Sequence, residues 1–70
     1  MSTLRSNFPI TIREREVLNL ISLGLSTQEI ALDLNISTET VKSHRAHLLR
    51  KLCANNTACL VRRGMESGLI

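Results

Sequence analysis

Aromatic residues are almost absent from this 70-residue chain, which contains one Phe and neither Trp nor Tyr. Its core must therefore be aliphatic, and a chain of this length supports one small domain of marginal stability. No stretch approaches the roughly 18 apolar residues of a membrane span, so we expect no membrane contact. No run alternates in polarity as a half-buried strand does, so the predicted fold class is all-α.

Signals for export, disulfide bonding and catalysis are also missing. Residues 1–9 lack the apolar segment of an export signal, and we interpret them as a flexible N-terminal tail. Two cysteines are too few for a disulfide framework, which indicates reduced thiols in a cytoplasmic protein. The chain has no phosphate-cradling glycine loop and is too small for a deep pocket. We therefore expect neither an enzyme nor a cofactor.

Two histidines and two cysteines form the pattern H-x2-H-x5-C-x5-C, made by His44, His47, Cys53 and Cys59. This spacing matches no common zinc-finger pattern, and the histidines fall on different parts of one predicted helix surface. We therefore expect no metal site. Structural or DNA-facing histidines fit better, with His44 mostly packed.

The middle of the chain carries the pattern of two short helices joined by a tight turn. Ser26 can cap the first helix and Glu29 can reciprocate three residues later, as in a capping box. Asn35 stands at the turn, where Asn tolerates the left-handed backbone conformation. Ser37 can cap the second helix, and Ala31 is small enough for a steep helix crossing. This is the pattern of a helix-turn-helix, whose second helix enters a DNA major groove.

A helix is predicted before this motif, opened by a capping box of Thr11 and Glu14 and ended by Gly24. Either Glu14 or Glu16 is expected to pair with a basic residue on the third helix. The predicted inner face of the first helix consists of Ile12, Val17, Leu18, Leu20 and Ile21.

The third helix should run over about residues 38–52, with Val41 and Leu48 on its inner side. Asn56 or Thr57 can cap a last helix. Four helices with short loops predict a four-helix bundle with a central helix-turn-helix.

Positive charge is concentrated in the second half of the chain. The net charge is +3 overall, with −2 over residues 1–39 and +5 over residues 40–70. A basic face fits a polyanionic partner, although a charged face can also be only a solvated one.

Taken together, these motifs resemble the LuxR-type family, also called GerE or FixJ/NarL-type, of bacterial DNA-binding domains. The resemblance is carried by REREVLNLISLGLSTQEIALDLNIS at 13–37, TVKSH at 40–44, KL at 51–52 and GLI at 68–70. It covers residues 10–70, which we interpret as one helix-turn-helix DNA-binding domain. It implies four helices, with the middle pair as the helix-turn-helix, and DNA binding as a homodimer through the last helix.

The chain departs from the family pattern at three positions. Cys53 stands where the family commonly has Gly, and Thr57 where it often has Arg. Gly64 replaces the usual Ala, which should loosen the last helix by about 0.5–1 kcal/mol. None of these positions lies on the face expected to contact bases.

The outward side of the third helix supplies the predicted base contacts. Similar family members contact bases from the positions that match Lys42, Ser43 and Ala46, and Arg45 can reach a base or a phosphate. For Lys42, a solvated side chain or a simple phosphate contact remains the alternative.

Two further sets of residues complete the predicted interface. Phosphate contacts are expected from hydroxyls, backbone N–H groups and cations at the rim: Thr27, Gln28, Thr40, His47, Arg50 and Lys51. Dimer contacts are expected from the last helix: Ala58, Cys59, Arg62 and Met65.

The sequence therefore predicts a transcription regulator that binds specific double-stranded DNA as a dimer by inserting residues 38–51 into the major groove. RNA polymerase is a further candidate partner. The domain either stands alone or forms the C-terminal part of a larger response regulator or signal-binding regulator. The alternative is a protein-interaction module that dimerises with a DNA-binding relative, which would need no basic face.

Overall fold

The computed structural model describes residues 9–70, and in this part of the chain it contains helices and no strand. The helices are α1 (Ile12–Ser22), α2 (Thr27–Leu34), α3 (Thr38–Lys51) and α4 (Thr57–Glu66). The expected all-α bundle is thus confirmed. The predicted tail over residues 1–9 lies, apart from Pro9, outside the described residues. None of the helices described is long and apolar enough to cross a membrane.

Capping boxes open both α1 and α2. The Thr11 hydroxyl accepts from the Glu14 N–H at 3.0 Å, and the Glu14 carboxylate accepts from the Thr11 N–H at 3.0 Å. Ser26 and Glu29 repeat this exchange at 3.2 and 2.8 Å. Each box satisfies N–H groups that have no partner within the helix. Both boxes confirm the prediction from the sequence.

The turn between α2 and α3 depends on one left-handed residue. Asn35 adopts φ 57° and ψ 48°, as its position in the sequence predicted. Ser37 then caps α3 by accepting from the Thr40 N–H at 3.0 Å. The two helices are therefore separated only by residues 35–37.

The exit from α3 holds a second left-handed residue. Cys53 has φ 55°, at the position where the resemblance places Gly. A side chain in this conformation costs about 1–2 kcal/mol relative to the right-handed region. Asn56 then caps α4 by accepting from the Cys59 N–H at 2.8 Å, which decides between the two predicted caps.

The core is aliphatic and is centred on α3. Its buried members are Val17, Leu18, Ile30, Ala31, Val41, Leu48 and Leu60. They come from all four helices, and α3 packs against α1, α2 and α4. The helix predicted to contact DNA is therefore the one against which the other three helices pack.

The inner face of α1 differs from the prediction at its first residue. Ile12 is 81% exposed, so its assignment to the core was wrong. Val17 and Leu18 are buried, and at about 100° per residue Ile12 lies roughly 140° away from Val17 around the helix. Glu14 takes the buried position in the first turn instead.

Gly64 permits close contact between α4 and its neighbours. A Cβ atom at this buried position would lie 2.9 Å from Leu18 Cδ2 and 3.4 Å from Ile70 Cδ1. Gly at this position gives α4 a lower helix propensity than the usual Ala would, but it lets Leu18 and Ile70 pack closer to the helix backbone. Arg15 Nε also donates to the Leu69 carbonyl at 3.1 Å, which links α1 to the end of the chain.

Candidate nucleic-acid interface

One side of α3 faces the core and the other faces outward. Val41 and Leu48 are buried, whereas Lys42, Ser43 and Ala46 are exposed. Both sides lie on one continuous helix whose start is fixed by the Ser37 cap. The three exposed positions are those that the sequence predicted as base contacts, and they lie in the N-terminal two-thirds of the helix.

Lys42 has an acidic neighbour one turn earlier. Its Nζ lies 3.7 Å from Glu39 Oε2, and 64% of the lysine side chain is exposed. An exposed pair of this kind contributes at most about 1 kcal/mol, so the lysine can exchange this partner for another acceptor. The outward face thus carries the exposed ammonium of Lys42 and the exposed carboxylate of Glu39 side by side.

Arg45 lies between the outward face of α3 and the start of α4. An Nη group of its guanidinium donates to the Thr57 hydroxyl. Its Nε atom is buried and has no hydrogen-bond partner among the described residues. We predicted from the sequence that Arg45 reaches a base or a phosphate. In the structure its side chain extends toward α4 and not along the face formed by Lys42, Ser43 and Ala46.

The predicted phosphate contacts at the start of the motif lie on two helix N-termini. Gln28 is exposed and Thr27 is half-buried in the first turn of α2. Thr40 is exposed in the first turn of α3, and its hydroxyl lies 2.9 Å from that of Ser37. The positive end of each helix dipole favours an anion at these positions.

Lys51 closes an ion pair with a buried carboxylate. Its Nζ lies 2.8 Å from Glu14 Oε1 and donates to the Pro9 carbonyl at 2.9 Å. His47 Nδ1 lies 3.7 Å from the second oxygen of Glu14. Of the three predicted phosphate contacts near the end of α3, only Arg50 has no contact with Glu14, and it is exposed. The predicted pairing of an acidic residue on α1 with a basic residue on α3 is therefore confirmed. The ammonium of Lys51 already has two internal acceptors.

The Glu14 carboxyl is ionised more readily than an ordinary glutamate. Burial opposes its ionisation, but hydrogen bonds from Lys51 and from the Thr11 N–H outweigh burial and lower its pKa. The side chain is only 4% exposed. The sequence left open whether Glu14 or Glu16 forms this pair, and it did not indicate that the carboxylate would be buried.

The predicted dimer residues share the accessible side of α4. Ala58, Arg62 and Met65 are exposed, and Cys59 is half-buried. Arg63 Nε donates to Cys59 Sγ at 3.3 Å, and this hydrogen bond lowers the pKa of the thiol. Over residues 9–70, no three His, Cys, Asp or Glu side chains are grouped so as to hold a metal ion.

A protein-family model matches most of the chain. The model for bacterial regulatory proteins of the luxR family matches residues 9–63. The transcriptional regulatory protein MctR of Rhizobium johnstonii is 42% identical over 62 residues, which cover 89% of this chain and 29% of MctR. The transcriptional regulatory protein UhpA of Escherichia coli is 44% identical over 55 residues, which cover 79% of this chain and 28% of UhpA.

Solved structures agree with this match. The chain superposes on the response regulator ChrA of a heme-sensing two-component system with a TM-score of 0.88 and 32% identity, covering 94% of this chain and 33% of that one. It superposes on Vibrio cholera VqmA, crystallised with ligand and DNA, with a TM-score of 0.82 and 33% identity, covering 94% of this chain and 29% of that one. The chain therefore spans no more than about a third of the length of these four relatives.

Proposed function

The chain belongs to the luxR family of bacterial regulatory proteins, and we propose that it binds a specific double-stranded DNA site as a dimer, with α3 inserted into the major groove. The family consists of bacterial regulatory proteins, and MctR and UhpA are transcriptional regulatory proteins, a class without enzymatic activity. The mode of DNA binding and the oligomeric state are our proposal.

The observation that supports this proposal best is the two-sided character of α3. Val41 and Leu48 anchor it in the core, which leaves the opposite side free to approach base edges. A major groove about 12 Å wide admits one such helix. Within it Lys42 can donate to guanine O6 and N7, Ser43 can pair with several bases, and Ala46 can contact a thymine methyl group.

Contacts to the DNA backbone would hold α3 in register. We propose that Thr27 and Gln28 receive one phosphate, because the first N–H groups of a helix have no partner within it. Thr40 and Arg50 extend this rim along α3. His47 and Lys51, predicted as phosphate contacts, lie beside Glu14, so we assign them chiefly to holding the last turns of α3.

The dimer would form through α4. Met65 is exposed beside Ala58 and Arg62, and burial of such an apolar side chain favours association. Two copies related by a two-fold axis would contact two half-sites of similar sequence. A DNA-bound regulator acts on transcription by recruiting or obstructing RNA polymerase, which we propose as its second partner in the bacterial cytoplasm.

Selection from a random duplex pool tests this function. We expect enrichment of a two-part site with related halves, and an affinity that falls steeply as salt rises because several phosphates are neutralised. Fluorescence anisotropy of the selected and a scrambled duplex, measured across a salt series, gives both quantities. Weak, salt-independent binding with no enriched sequence would contradict the proposal and favour the protein-interaction module.

A further inference from the structure

A cleft of about 270 Å³ lies where the start of α2, the middle of α3 and the start of α4 meet. Its lining includes Ser26 and Thr27 from α2, Arg45 from α3 and Thr57 from α4, and the remaining residues are aliphatic or glycine. The cleft thus brings three hydroxyl groups and one guanidinium together at the edge of the helix-turn-helix.

Arg45 is the only charged side chain lining the cleft among the described residues. An Nη group of its guanidinium donates to the Thr57 hydroxyl, whereas the buried Nε–H has no acceptor in the described part of the chain. Leaving such a buried donor unpaired is unfavourable, because it has lost its hydrogen bonds to water without gaining another acceptor. An acceptor entering the cleft would let the side chain turn and pair this N–H, because the planar guanidinium matches two oxygens of one anion.

Two helix N-termini add to the positive potential of the cleft. Thr27 and Thr57 are the first residues of α2 and α4, and the positive end of each helix dipole lies there. The Glu29 carboxylate near the start of α2 accepts a hydrogen bond from the Ser26 N–H at 2.8 Å. The electrostatics and the donors therefore both favour an oxyanion.

We propose that this cleft binds a phosphate group, with Arg45 as the main donor and the hydroxyls of Thr27 and Thr57 as supporting donors. The phosphate comes either from the backbone of bound DNA, in which case the inference rests on the proposed function, or from free inorganic phosphate. Arg45 then contributes affinity that is independent of sequence, unlike the base contacts proposed for Lys42.

The test compares Arg45→Met with the wild-type chain on the selected duplex and on a scrambled one. We expect both affinities to fall by the same factor, about tenfold, with the slope of log K against log salt shallower by about 0.9. Arg45→Lys should restore the slope, because it restores the charge. Thr57→Val keeps the shape and removes one hydroxyl, so it should weaken both affinities about threefold without changing the slope. Thermal unfolding of each variant shows that it is folded.

A second arm uses inorganic phosphate alone. At constant ionic strength, phosphate should raise the melting temperature of the wild-type chain more than that of Arg45→Met if free phosphate occupies the cleft. If Arg45→Met loses duplex affinity but phosphate does not raise the melting temperature of the wild-type chain more, the occupant is the DNA backbone. If phosphate raises it more but Arg45→Met keeps its duplex affinity, the occupant is the free anion. No effect in either arm, or a loss confined to one base pair, overturns the proposal. Failure of the wild-type chain to bind any duplex counts against the proposed function instead, and the phosphate arm then decides on the cleft.

Discussion

The ion pair between Glu14 and Lys51 predicts a large effect from a small substitution. Glu14→Gln keeps the size of the side chain and an oxygen that can accept from the Thr11 N–H. It removes the charge that faces the Lys51 ammonium at 2.8 Å. The helix cap should therefore survive, and the change in stability should report the ion pair that joins α1 to α3.

The magnitude follows from burial. Removing one partner of a fully buried ion pair costs about 3–5 kcal/mol. The Lys51 side chain is 19% exposed and keeps the Pro9 carbonyl as an acceptor, so we expect a smaller loss of about 2 kcal/mol in the free energy of unfolding. A domain of this size seldom has more than about 3–5 kcal/mol in total. The melting temperature should fall by roughly 8–16 °C.

Urea unfolding followed by far-ultraviolet circular dichroism measures this loss, because the chain has no Trp or Tyr for fluorescence. Glu16→Gln is the matched control. It changes the same residue type on the same helix, but the Glu16 side chain is 50% exposed and its partner Arg13 lies at 3.3 Å on the surface. We expect this control to change stability by less than about 0.5 kcal/mol.

The reciprocal variant and the pH dependence sharpen the test. Lys51→Met leaves a buried carboxylate without its counter-ion and should cost about 3 kcal/mol, whereas the double variant should lose less than the sum of the two. The pKa of Glu14 is lowered in the folded state, so its stabilisation is complete above the unfolded value near 4.3 and is lost as pH falls through the folded pKa. The wild-type and Glu14→Gln curves should therefore converge in acid. A Glu14→Gln variant as stable as the wild type at neutral pH would refute this reasoning.

Three further substitutions test other parts of the structure. Cys53→Gly should stabilise the domain by about 0.5–1 kcal/mol in the same urea assay, because glycine adopts the left-handed conformation without strain; a loss of stability would contradict this. Lys42→Ala should cost about 1–3 kcal/mol on the selected duplex and relax the preference at one base pair, whereas the control Arg13→Ala should change neither. An equal loss on every duplex would assign Lys42 to phosphate binding. Glu39→Gln should raise the affinity for scrambled duplex about threefold, because it removes a carboxylate beside Lys42. A fall confined to the selected duplex would instead make Glu39 an acceptor for cytosine.

The features that the sequence predicted correctly depend on residues close together in the chain. A capping box joins Ser26 to Glu29 across one turn, and the left-handed Asn35 follows from the chemistry of one side chain. Such interactions are the same wherever the helices later pack. For this reason the order of the helices and the position of the turn could be predicted without coordinates.

The features that the sequence did not reveal depend on how the helices pack. Arg45 lies about 60° from Lys42 around α3, so the spacing alone makes it an outward residue, and only the position of α4 decides otherwise. Lys51 is different, because nine residues place it about 180° from Lys42. That spacing already places Lys51 away from the predicted DNA-contacting face, but only the packing of α1 against α3 makes Glu14 its partner.

The opposite faces of α3 have a consequence for how such a domain can acquire new targets. Lys42, Ser43 and Ala46 contribute little buried surface, while Val41 and Leu48 are held in place by neighbouring helices. Changes at the three exposed positions, other than to Pro or Gly, should therefore have little effect on the stability of the domain. A combinatorial library confined to them should yield mostly well-folded proteins, and one ancestral framework could diversify into many regulators that differ in the operators they recognise.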